Sequence, residues 1–299
     1  MKVKNFKIKS FCKINLYLEV LKRLSNGYHS IRSLTTFCNL YDVITISKIN
    51  NSKDIISFSG KFKKGINIKS NTIIKTLKLL RKLKLIKNKK FKINVEKNIP
   101  HGSGLGGGSS NAAGILNFFN QNMNLKLNNN KLNKIANQIG FDVPISLMKE
   151  NTFLTGRKGE MLRNNEKFAL NLLILYPNLT CSTKKIYKKH IIKNIYGFTP
   201  YPWIVAKGIE YPNFRNKKKL VNYLIYKDND LEETVVKIYP KVKKIIDYIK
   251  SQKGCYFSRI TGSGSACIGI FSNMKNAIYT QRLIKKKYPK YWCAVSKTI

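Results

Sequence analysis

Apolar and polar side chains alternate along several short stretches of the chain. Ile14, Leu16, Leu18 and Val20 alternate with polar or aromatic neighbours, and a period of two is typical of a half-buried strand. The same alternation predicts strands around residues 44–46 and 91–95. Between them, apolar residues follow the spacing of a helix with one apolar face: Ile73, Ile74, Leu77, Leu80 and Leu83. The first third of the chain therefore mixes strands and helices.

A glycine-rich segment follows the strand that is predicted to end near Val95. Six glycines lie within residues 102–114, and apolar residues at helical spacing follow from Ala112 to Phe119. Closely spaced glycines let the backbone approach a ligand, and a helix starting at Ser109 or Ser110 would add its positive N-terminal end. The segment predicts an anion cradle. A flexible linker is the alternative, but linkers do not usually join a strand to an Ala-rich helix.

This cradle differs from two common phosphate-binding loops. It lacks the Gly-Lys-Ser/Thr of the Walker P-loop. No suitable acidic residue follows on a second strand, as the dinucleotide-binding pattern requires. The anion would therefore be held by a different class of loop.

The rest of the chain continues the mixture of helices and strands. A helix over 132–139 would end at Gly140, and Asp142 would cap a further helix with Pro144 in its first turn. The second half predicts strands at 170–176, 265–271 and 291–295, helical spacing over 231–249 broken near Pro240, and a helix over 274–287 behind Asn273. Residues 191–223 are aromatic and irregular and predict no element. We place the boundary between two α+β halves near residue 160, giving domains 1–160 and 161–299.

Composition narrows the class of protein. The chain has 299 residues with 57 Lys plus Arg against 14 Asp plus Glu, a net charge of +43. Such charge suggests nucleic-acid binding, but the lysines are scattered and accompanied by Asn and Ile, which also have A/T-rich codons. We therefore favour compositional drift over a specific nucleic-acid partner, although a basic nucleic-acid-binding protein stays open as an alternative. The charge would still attract anionic ligands.

Other features point to a soluble cytoplasmic protein. With 43% apolar residues the chain can form a core. No apolar run reaches the ~18 residues of a membrane span, and the N-terminus lacks a secretory signal. The six cysteines are scattered without a C-x-x-C pair, so neither a zinc site nor a disulfide framework is expected.

The glycine loop resembles the nucleotide-binding motif of the kinase superfamily named for galactokinase, homoserine kinase, mevalonate kinase and phosphomevalonate kinase. Further segments agree with that superfamily in order, from about residue 11 to 272, most weakly between 190 and 228. The matching segments are Lys13 to Leu18, Asn26-Gly27-Tyr28-His29, Gly106-Gly107-Gly108 before Ser109-Ser110-Asn111-Ala112-Ala113, Gly140 to Pro144, Gly159-Glu160, and Thr261-Gly262-Ser263-Gly264-Ser265. Ordered motifs are far more specific than one loop.

The resemblance implies a fold and a reaction. The fold would be α+β, a two-domain GHMP-kinase-like fold with an S5-like nucleotide-binding N-terminal half and a ferredoxin-like C-terminal half. The triple glycine resembles the branch that uses ATP to phosphorylate the 2-hydroxyl of 4-diphosphocytidyl-2-C-methyl-D-erythritol, a small-molecule substrate of non-mevalonate isoprenoid synthesis. Mg²⁺ is expected to accompany ATP. Homoserine or mevalonate kinase activity is the nearest enzyme alternative, and the oligomeric state, monomer or homodimer, stays open.

The resemblance also implies roles for individual residues on the nucleotide side. The triphosphate would lie over residues 102–111, and the adenine site would include Asn71 and Lys97. A solvated surface lysine is the competing interpretation of Lys97. The implied nucleotide-binding residues are Asn71, Lys97, Pro100, Gly102, Gly104, Gly106, Gly107, Gly108, Ser109, Ser110 and Asn111.

For catalysis, the resemblance makes Asp142 the base that accepts the proton of the acceptor hydroxyl. Lys13 would lie beside it and favour the ionised carboxylate. Simple helix capping is the competing interpretation of Asp142, and both roles are compatible.

For the acceptor, the resemblance implies that Tyr28 and His29 hold cytosine, the ring by stacking and the imidazole or adjacent backbone by hydrogen bonding. Packing is the competing interpretation for any tyrosine. Asn15 would contact the methylerythritol hydroxyls or orient Lys13. A second aromatic ring, a polar contact and a late glycine-serine turn complete the set, which is Asn15, Tyr28, His29, Thr183, Tyr187, Gly262 and Ser263.

Three departures from the superfamily pattern qualify these expectations. Phe141 replaces the small residue usually found before the base, and would either crowd the site or point into the core. Ser146 replaces an apolar or aromatic residue. The segment around Gly159-Glu160 is more basic than usual. Each predicted catalytic position is nevertheless kept, so an active enzyme is expected.

Overall fold

A computed structural model of the chain describes residues 5–25, 27–69, 71–156, 160–192 and 216–299. The chain forms two compact units. The first contains the described residues of 1–13, 39–101 and 105–149, and the second those of 14–38, 102–104 and 150–299. The division of the sequence at residue 160 stays a prediction. No helix among the described residues is long and apolar enough to cross a membrane.

The elements alternate along the chain. The strands are β1 (Asn5–Arg23), β2 (His29–Ile49), β3 (Ile55–Ser59), β4 (Lys90–Glu96), β5 (Asn151–Thr155), β6 (Met161–Asn164), β7 (Asn171–Tyr176), β8 (Cys255–Ile260), β9 (Cys267–Phe271) and β10 (Trp292–Lys297). The helices are α1 (Thr72–Lys82), α2 (Gly107–Asn122), α3 (Asn129–Ile139), α4 (Thr183–Lys189), α5 (Lys217–Ile225), α6 (Leu231–Ile238), α7 (Lys241–Lys250) and α8 (Met274–Lys287).

The first unit packs helices α1, α2 and α3 against strands. Val43–Ile49 of β2 pairs antiparallel with β4, and β4 pairs parallel with β3. Their apolar faces and the apolar stripes of the helices form one core, which includes Ile44, Ile93, Leu77, Leu116 and Ile135. This core holds the start of α2 and the turn after α3, which carry the predicted catalytic chemistry.

The second unit contains an antiparallel sheet in the strand order β10-β7-β9-β8. Its elements follow the β-α-β-β-α-β order of ferredoxin-like folds, with α4 to α7 in the first connection and α8 in the second. Apolar residues of the helices pack on this sheet, among them Leu231, Ile246 and Ile284. Elsewhere in this unit, β2 pairs with β5, and β5 with β6. The predicted α+β class with two different halves is confirmed.

Most predicted elements are found. The structure confirms α1, α3 ending at Gly140, β7 and β9, and the break between α6 and α7 at Pro240. Helix α8 begins behind Asn273, whose side chain accepts the amide hydrogen of Asn276 at 2.9 Å. Helix α5 begins within the stretch for which no element was predicted and ends two residues beyond it, and residues 193–215 of that stretch lie outside the described residues.

Three predictions were wrong in detail. Helix α2 begins at Gly107, two residues before Ser109. The helix predicted after Asp142 is only a short 3-10 turn, Ile145–Leu147, and the Asp142 side chain does not cap it. Strand β1 is not half-buried around residue 15, because Tyr17 is fully buried and Asn15 is 2% exposed. The Tyr17 ring packs edge-on against Tyr223, at 6.0 Å between centroids, which covers the second face of the strand.

Candidate active site

The start of α2 in the first unit has the geometry of an anion cradle. Gly106 precedes the helix with φ of 67°, a left-handed conformation that favours glycine. The amide of Ser110 donates to the Gly106 carbonyl at 2.9 Å. By helix geometry, the amides of residues 107–109 have no acceptor within the helix, so the positive end of the helix dipole is free for an anion.

Lys13 passes directly against this helix start. A Cβ atom placed on Gly106 would lie 3.0 Å from Lys13 Cβ and 3.1 Å from its Cε. The Lys13 amide also donates to the carbonyl of Leu105 at 3.1 Å. Gly106 is therefore required for a second reason, which is to leave room for the lysine side chain.

Lys13 and Asp142 form an ion pair in the first unit, with Nζ 3.1 Å from Oδ2. The side chain of Lys13 is 3% exposed and that of Asp142 is 41% exposed. The Lys13 side chain is thus almost fully buried, while the Asp142 carboxylate has one side open to solvent. Such an arrangement holds the carboxylate in place and leaves it accessible to a hydroxyl group.

Ser146 links the Asp142 turn to the start of α2. Its hydroxyl donates to the backbone carbonyl of Asp142 at 3.1 Å and accepts from the Ser110 hydroxyl at 3.2 Å. A polar residue at position 146 is therefore explained by these two bonds. Phe141 is 59% exposed. The expectation that it could point into the core is therefore wrong.

Asn71 and Lys97 are held by different partners in the first unit. Asn71 caps α1, with its side-chain oxygen accepting from the amides of Ile73 and Ile74 at 3.0 and 3.1 Å. Lys97 is not a solvated lysine, because it is buried in an ion pair with Asp42. The next residue after the Asn71 cap, Thr72, donates to the carbonyl of Gly108 at 2.8 Å and ties the starts of α1 and α2 together.

Residues 102–104 belong to the second unit, where close backbone packing explains their glycines. A Cβ on Gly104 would clash with the carbonyl oxygen of Thr261, and one on Gly102 would clash with a methyl carbon of Thr180. Ala266 donates its amide to the carbonyl of Ser103 at 3.0 Å. The early glycine loop and the late glycine-serine turn therefore fit against each other without side chains between them.

The structure pairs several predicted acceptor residues in the second unit. Ser263 donates to the Thr183 hydroxyl at 2.8 Å. The Asn15 amide donates to Thr261 Oγ1 and its side-chain nitrogen to Ser33 Oγ, both at 2.8 Å. A Cβ on Gly262, which has φ of 57°, would lie 3.3 Å from Asn15 Oδ1.

The predicted cytosine residues lie around the β1–β2 hairpin of the second unit. The rings of His29 and Tyr187 lie 5.0 Å apart with an interplanar angle of 33°. Burial lowers the pKa of His29, and the charges of Arg23 and His190 lower it further. Tyr28 is 51% exposed, and an exposed aromatic ring is suited to stacking on a planar ligand. A neutral imidazole beside an exposed aromatic ring has the chemistry that an uncharged base requires.

Two residues of the resemblance, Asn26 and Gly159, lie outside the described residues. Glu160 is described, and its carboxylate accepts a hydrogen bond from Thr155 Oγ1 at 2.9 Å. No group of three or more His, Cys, Asp or Glu side chains suited to a metal ion occurs in the described parts of the chain.

Asp42 is a residue that sequence reasoning missed. It pairs with Lys97, and the pattern of apolar residues in the sequence already indicated that both residues are buried. Asp42 continues the stripe of Ile44 and Ile46, and Lys97 continues that of Phe91, Ile93 and Val95, at the same period of two. A charge at the end of each of two apolar stripes predicts a buried ion pair.

Comparison with known proteins finds two matching family models and relatives that match nearly the full chain. A family model described as the GHMP kinases N terminal domain matches residues 71–150, and one described as GHMP kinases C terminal matches residues 208–290. The chain is 38% identical over 298 residues to the 4-diphosphocytidyl-2-C-methyl-D-erythritol kinase of Pelagibacter ubique strain HTCC1062, covering 99% of each chain. It is 33% identical over 306 residues to the enzyme of the same name from Wolbachia pipientis wMel, covering 99% of this chain and 100% of the other.

A solved structure shares the fold. A crystal structure of 4-(cytidine 5'-diphospho)-2C-methyl-D-erythritol kinase aligns with 98% of this chain and 99% of its own, with a TM-score of 0.71 and 22% sequence identity.

Proposed function

The chain belongs to the 4-diphosphocytidyl-2-C-methyl-D-erythritol kinase family within the GHMP kinases, and on that premise we propose that it phosphorylates the 2-hydroxyl of 4-diphosphocytidyl-2-C-methyl-D-erythritol. As a GHMP kinase it uses ATP. The γ-phosphoryl group would pass to the acceptor oxygen and ADP would leave, in a step of non-mevalonate isoprenoid synthesis. The single observation that carries the proposal is the Lys13–Asp142 pair beside the free N-terminal amides of α2.

We propose that the start of α2 holds the triphosphate. Free backbone amides and the helix dipole favour anions, and Gly106 and Gly107 let phosphate oxygens approach the backbone. Ser109, Ser110 and Asn111 would add side-chain contacts. Asn71 and Lys97 are the proposed contacts on the adenine side, and Pro100, Gly102, Gly104 and Gly108 complete the proposed nucleotide set.

Asp142 is the proposed general base. Its open carboxylate would accept the proton of the 2-hydroxyl as the bond between oxygen and phosphorus forms and the bond to ADP breaks. Lys13 would keep the carboxylate oriented through the 3.1 Å ion pair. In-line phosphoryl transfer depends on such positioning, because the loose transition state requires little covalent participation by the protein.

The residues at the start of α2 fit a magnesium ion. Mg²⁺ prefers oxygen ligands and commonly takes one or two from the protein and the rest from phosphates and water. Asn111 Oδ1 is buried without a hydrogen-bond partner, and the Ser110 hydroxyl lies one residue before it. We propose that these two oxygens hold Mg²⁺ together with ATP, where the ion would neutralise charge on the phosphates.

The second unit carries the proposed acceptor specificity. Tyr28 would stack on cytosine, His29 would hydrogen-bond the base edge as a neutral imidazole, and Tyr187 would supply the second ring. Thr183 and Ser263, already hydrogen-bonded to each other, and Asn15 with Gly262 are the proposed contacts to the rest of the acceptor.

Turnover with a panel of acceptors tests the proposal. Purified protein is given ATP, Mg²⁺ and one of three acceptors, and ADP release is followed. We expect turnover with 4-diphosphocytidyl-2-C-methyl-D-erythritol, none with homoserine or mevalonate, and competitive inhibition by CMP. ATP binding without ADP release on the diphosphocytidyl acceptor would refute the assignment, and indifference to CMP would refute the cytosine site.

Three further expectations stay predictions. They are a cytoplasmic location, a monomeric or homodimeric state, and the absence of a specific nucleic-acid partner. For the last, binding to nucleic acid should collapse as salt is raised, since scattered lysines make only non-specific phosphate contacts.

A further inference from the structure

Asp42 and Lys97 form an ion pair that is buried on both sides in the first unit. The side chain of Asp42 is 0% exposed and that of Lys97 is 3% exposed, and Asp42 Oδ2 contacts Lys97 Nζ. The pair continues the antiparallel register of β2 and β4 by one residue, because Val43 lies opposite Glu96. Its position is therefore fixed by the sheet itself.

The second oxygen of Asp42 holds the backbone that leads into the glycine loop. Asp42 Oδ1 accepts the amide hydrogen of Asn98 at 2.8 Å and that of Ile99 at 2.9 Å. The Asn98 side chain donates to the carbonyl of Tyr41 at 3.3 Å. One carboxylate thus fixes both a buried cation and the chain segment after β4.

The Lys97 ammonium group lies at the first residue of α2. A Cβ atom placed on Gly107 would lie 3.3 Å from Lys97 Nζ and 3.2 Å from Ile99 Cγ2. The two glycines that open the helix are thus each backed by a lysine, Gly106 by Lys13 and Gly107 by Lys97. Both cations add positive charge where the helix amides are free.

Stability alone does not explain this pair. Burying two charges costs desolvation that their attraction often fails to recover, so apolar replacements of similar volume are often neutral or stabilising. The desolvation cost of the pair is explained if the Lys97 cation contributes to binding a ligand. The partner of Lys13 is a carboxylate that is 41% exposed, whereas the partner of Lys97, Asp42, is closed to solvent. A closed carboxylate is better suited to holding its neighbours in place than to proton transfer.

We propose that Asp42 is a positioning residue for nucleotide binding. It holds the Lys97 ammonium group behind Gly107 and fixes Asn98 and Ile99, so that the anion cradle is formed before ATP arrives. The inference deepens the proposed function and rests on it, since it requires that the cradle bind ATP.

Direct measurement of ATP binding by calorimetry tests the inference without requiring turnover. Asp42→Asn keeps the size of the side chain and an oxygen for the two amides but removes the counter-ion of Lys97. We expect ATP affinity to fall at least tenfold. In turnover, KM for ATP should rise by a similar factor, while KM for the diphosphocytidyl acceptor should change less than twofold.

A matched control separates this effect from general destabilisation. Asp54 is built in the same way in the same unit, since it pairs with Arg81 at 2.7 Å and accepts the amide hydrogen of Phe91 at 3.0 Å. Its partners belong to the end of α1 and the start of β4, away from the start of α2 in sequence. Asp54→Asn should lower the melting temperature but leave ATP affinity within twofold of the wild type.

The double variant Asp42→Asn/Lys97→Met decides the matter if Asp42→Asn folds poorly. Asp42→Asn alone leaves the buried Lys97 cation without a counter-ion, and Lys97→Met removes that cation. The melting temperature of the double variant should therefore recover towards that of the wild type, while its ATP affinity stays low. Recovery of ATP affinity together with stability would overturn the inference, because the pair would then be purely structural. Unchanged affinity in a folded Asp42→Asn variant would also overturn it. A wild-type protein that binds no ATP would instead refute the proposed function on which the inference rests.

Discussion

The two compact units present their proposed chemistry in different ways. The first unit offers backbone amides at the start of α2, glycines that leave room for two lysine side chains, and the buried lysines themselves. The second unit offers side chains, including the exposed ring of Tyr28 and the contacting rings of His29 and Tyr187. The first unit would therefore recognise a ligand by its charge, and the second by its shape and its hydrogen-bonding groups.

The difference indicates which changes should be general and which specific. Backbone amides and a helix dipole recognise phosphate whatever the acceptor is, so changes in the first unit should act on ATP binding or on the chemical step. Side chains that stack on a base read only that base, so changes in the second unit should act on KM for the acceptor. Each prediction below tests whether the two effects stay separate.

The largest effect is expected at Asp142. Asp142→Asn keeps the shape of the side chain but removes the proposed base, so kcat should fall by about 10³-fold, within the range of general-base contributions. ATP affinity should change less than twofold, because the amides of α2 are untouched. Calorimetry with ATP and steady-state kinetics measure the two quantities.

The control for Asp142 is Asp247→Asn. Asp247 pairs with Lys243 at 2.6 Å on the exposed face of α7, and exposed pairs contribute little. Its kinetics should match the wild type. If Asp142→Asn loses ATP affinity and kcat together, Asp142 supports the fold of the cradle and is not the base.

A smaller effect is expected at Gly106. Gly106→Ala forces a side chain into a left-handed conformation and against Lys13, so kcat/KM for ATP should fall about 10- to 100-fold, corresponding to roughly 1.4–2.8 kcal/mol. Gly114→Ala on the same helix is the control. A Cβ there meets Ile8 and Ile44 at 3.6 and 3.7 Å, which is ordinary contact. Equal losses in both variants would show that the left-handed glycine has no special role.

The first unit was largely predictable because its signals are local. The glycines, the following Ala-rich helix and the anion cradle lie within about twenty consecutive residues. The start of α2 was predicted two residues late, since Gly107 and Gly108 have poor helix propensity. At Gly107, the nearby side chains of Lys97 and Ile99 explain why a glycine stands in the first turn.

The rest was harder because it depends on partners far apart in sequence. Strands β5 and β6 contain polar residues such as Asn151 and Thr152 without clear alternation, and they are strands because β5 pairs with β2. The Lys13–Asp142 pair joins residues 129 positions apart, and only the family resemblance suggested it. Asp42 could have been found from its place in the stripe, but a single acidic residue beside an apolar run carries a weak signal.

Within the second unit, the largest effect is expected at Tyr28. Tyr28→Ala should raise KM for the diphosphocytidyl acceptor by about tenfold, since stacking on one base contributes roughly 1–3 kcal/mol, and KM for ATP should stay constant. Tyr28→Phe keeps the ring and should stay near the wild type. Tyr279→Ala, which removes a similarly exposed ring on α8, should have no effect. A parallel rise in KM for ATP would break the separation of the two units.

The smallest effect is expected in the pH dependence of acceptor binding. Burial, Arg23 and His190 lower the pKa of His29 below its ordinary value of about 6.5, so the imidazole stays mostly neutral until the pH falls below that value. KM for the acceptor should therefore be flat from pH 8 to about 6.5 and rise a few-fold only under more acidic conditions. His29→Gln should remove that rise. Tyr187→Ala exposes the imidazole, so the rise should begin at a higher pH, and Tyr28→Phe should leave it unmoved. A KM that instead falls on acidification would mean that His29 binds as a cation, and the second unit would then recognise charge just as the first unit does.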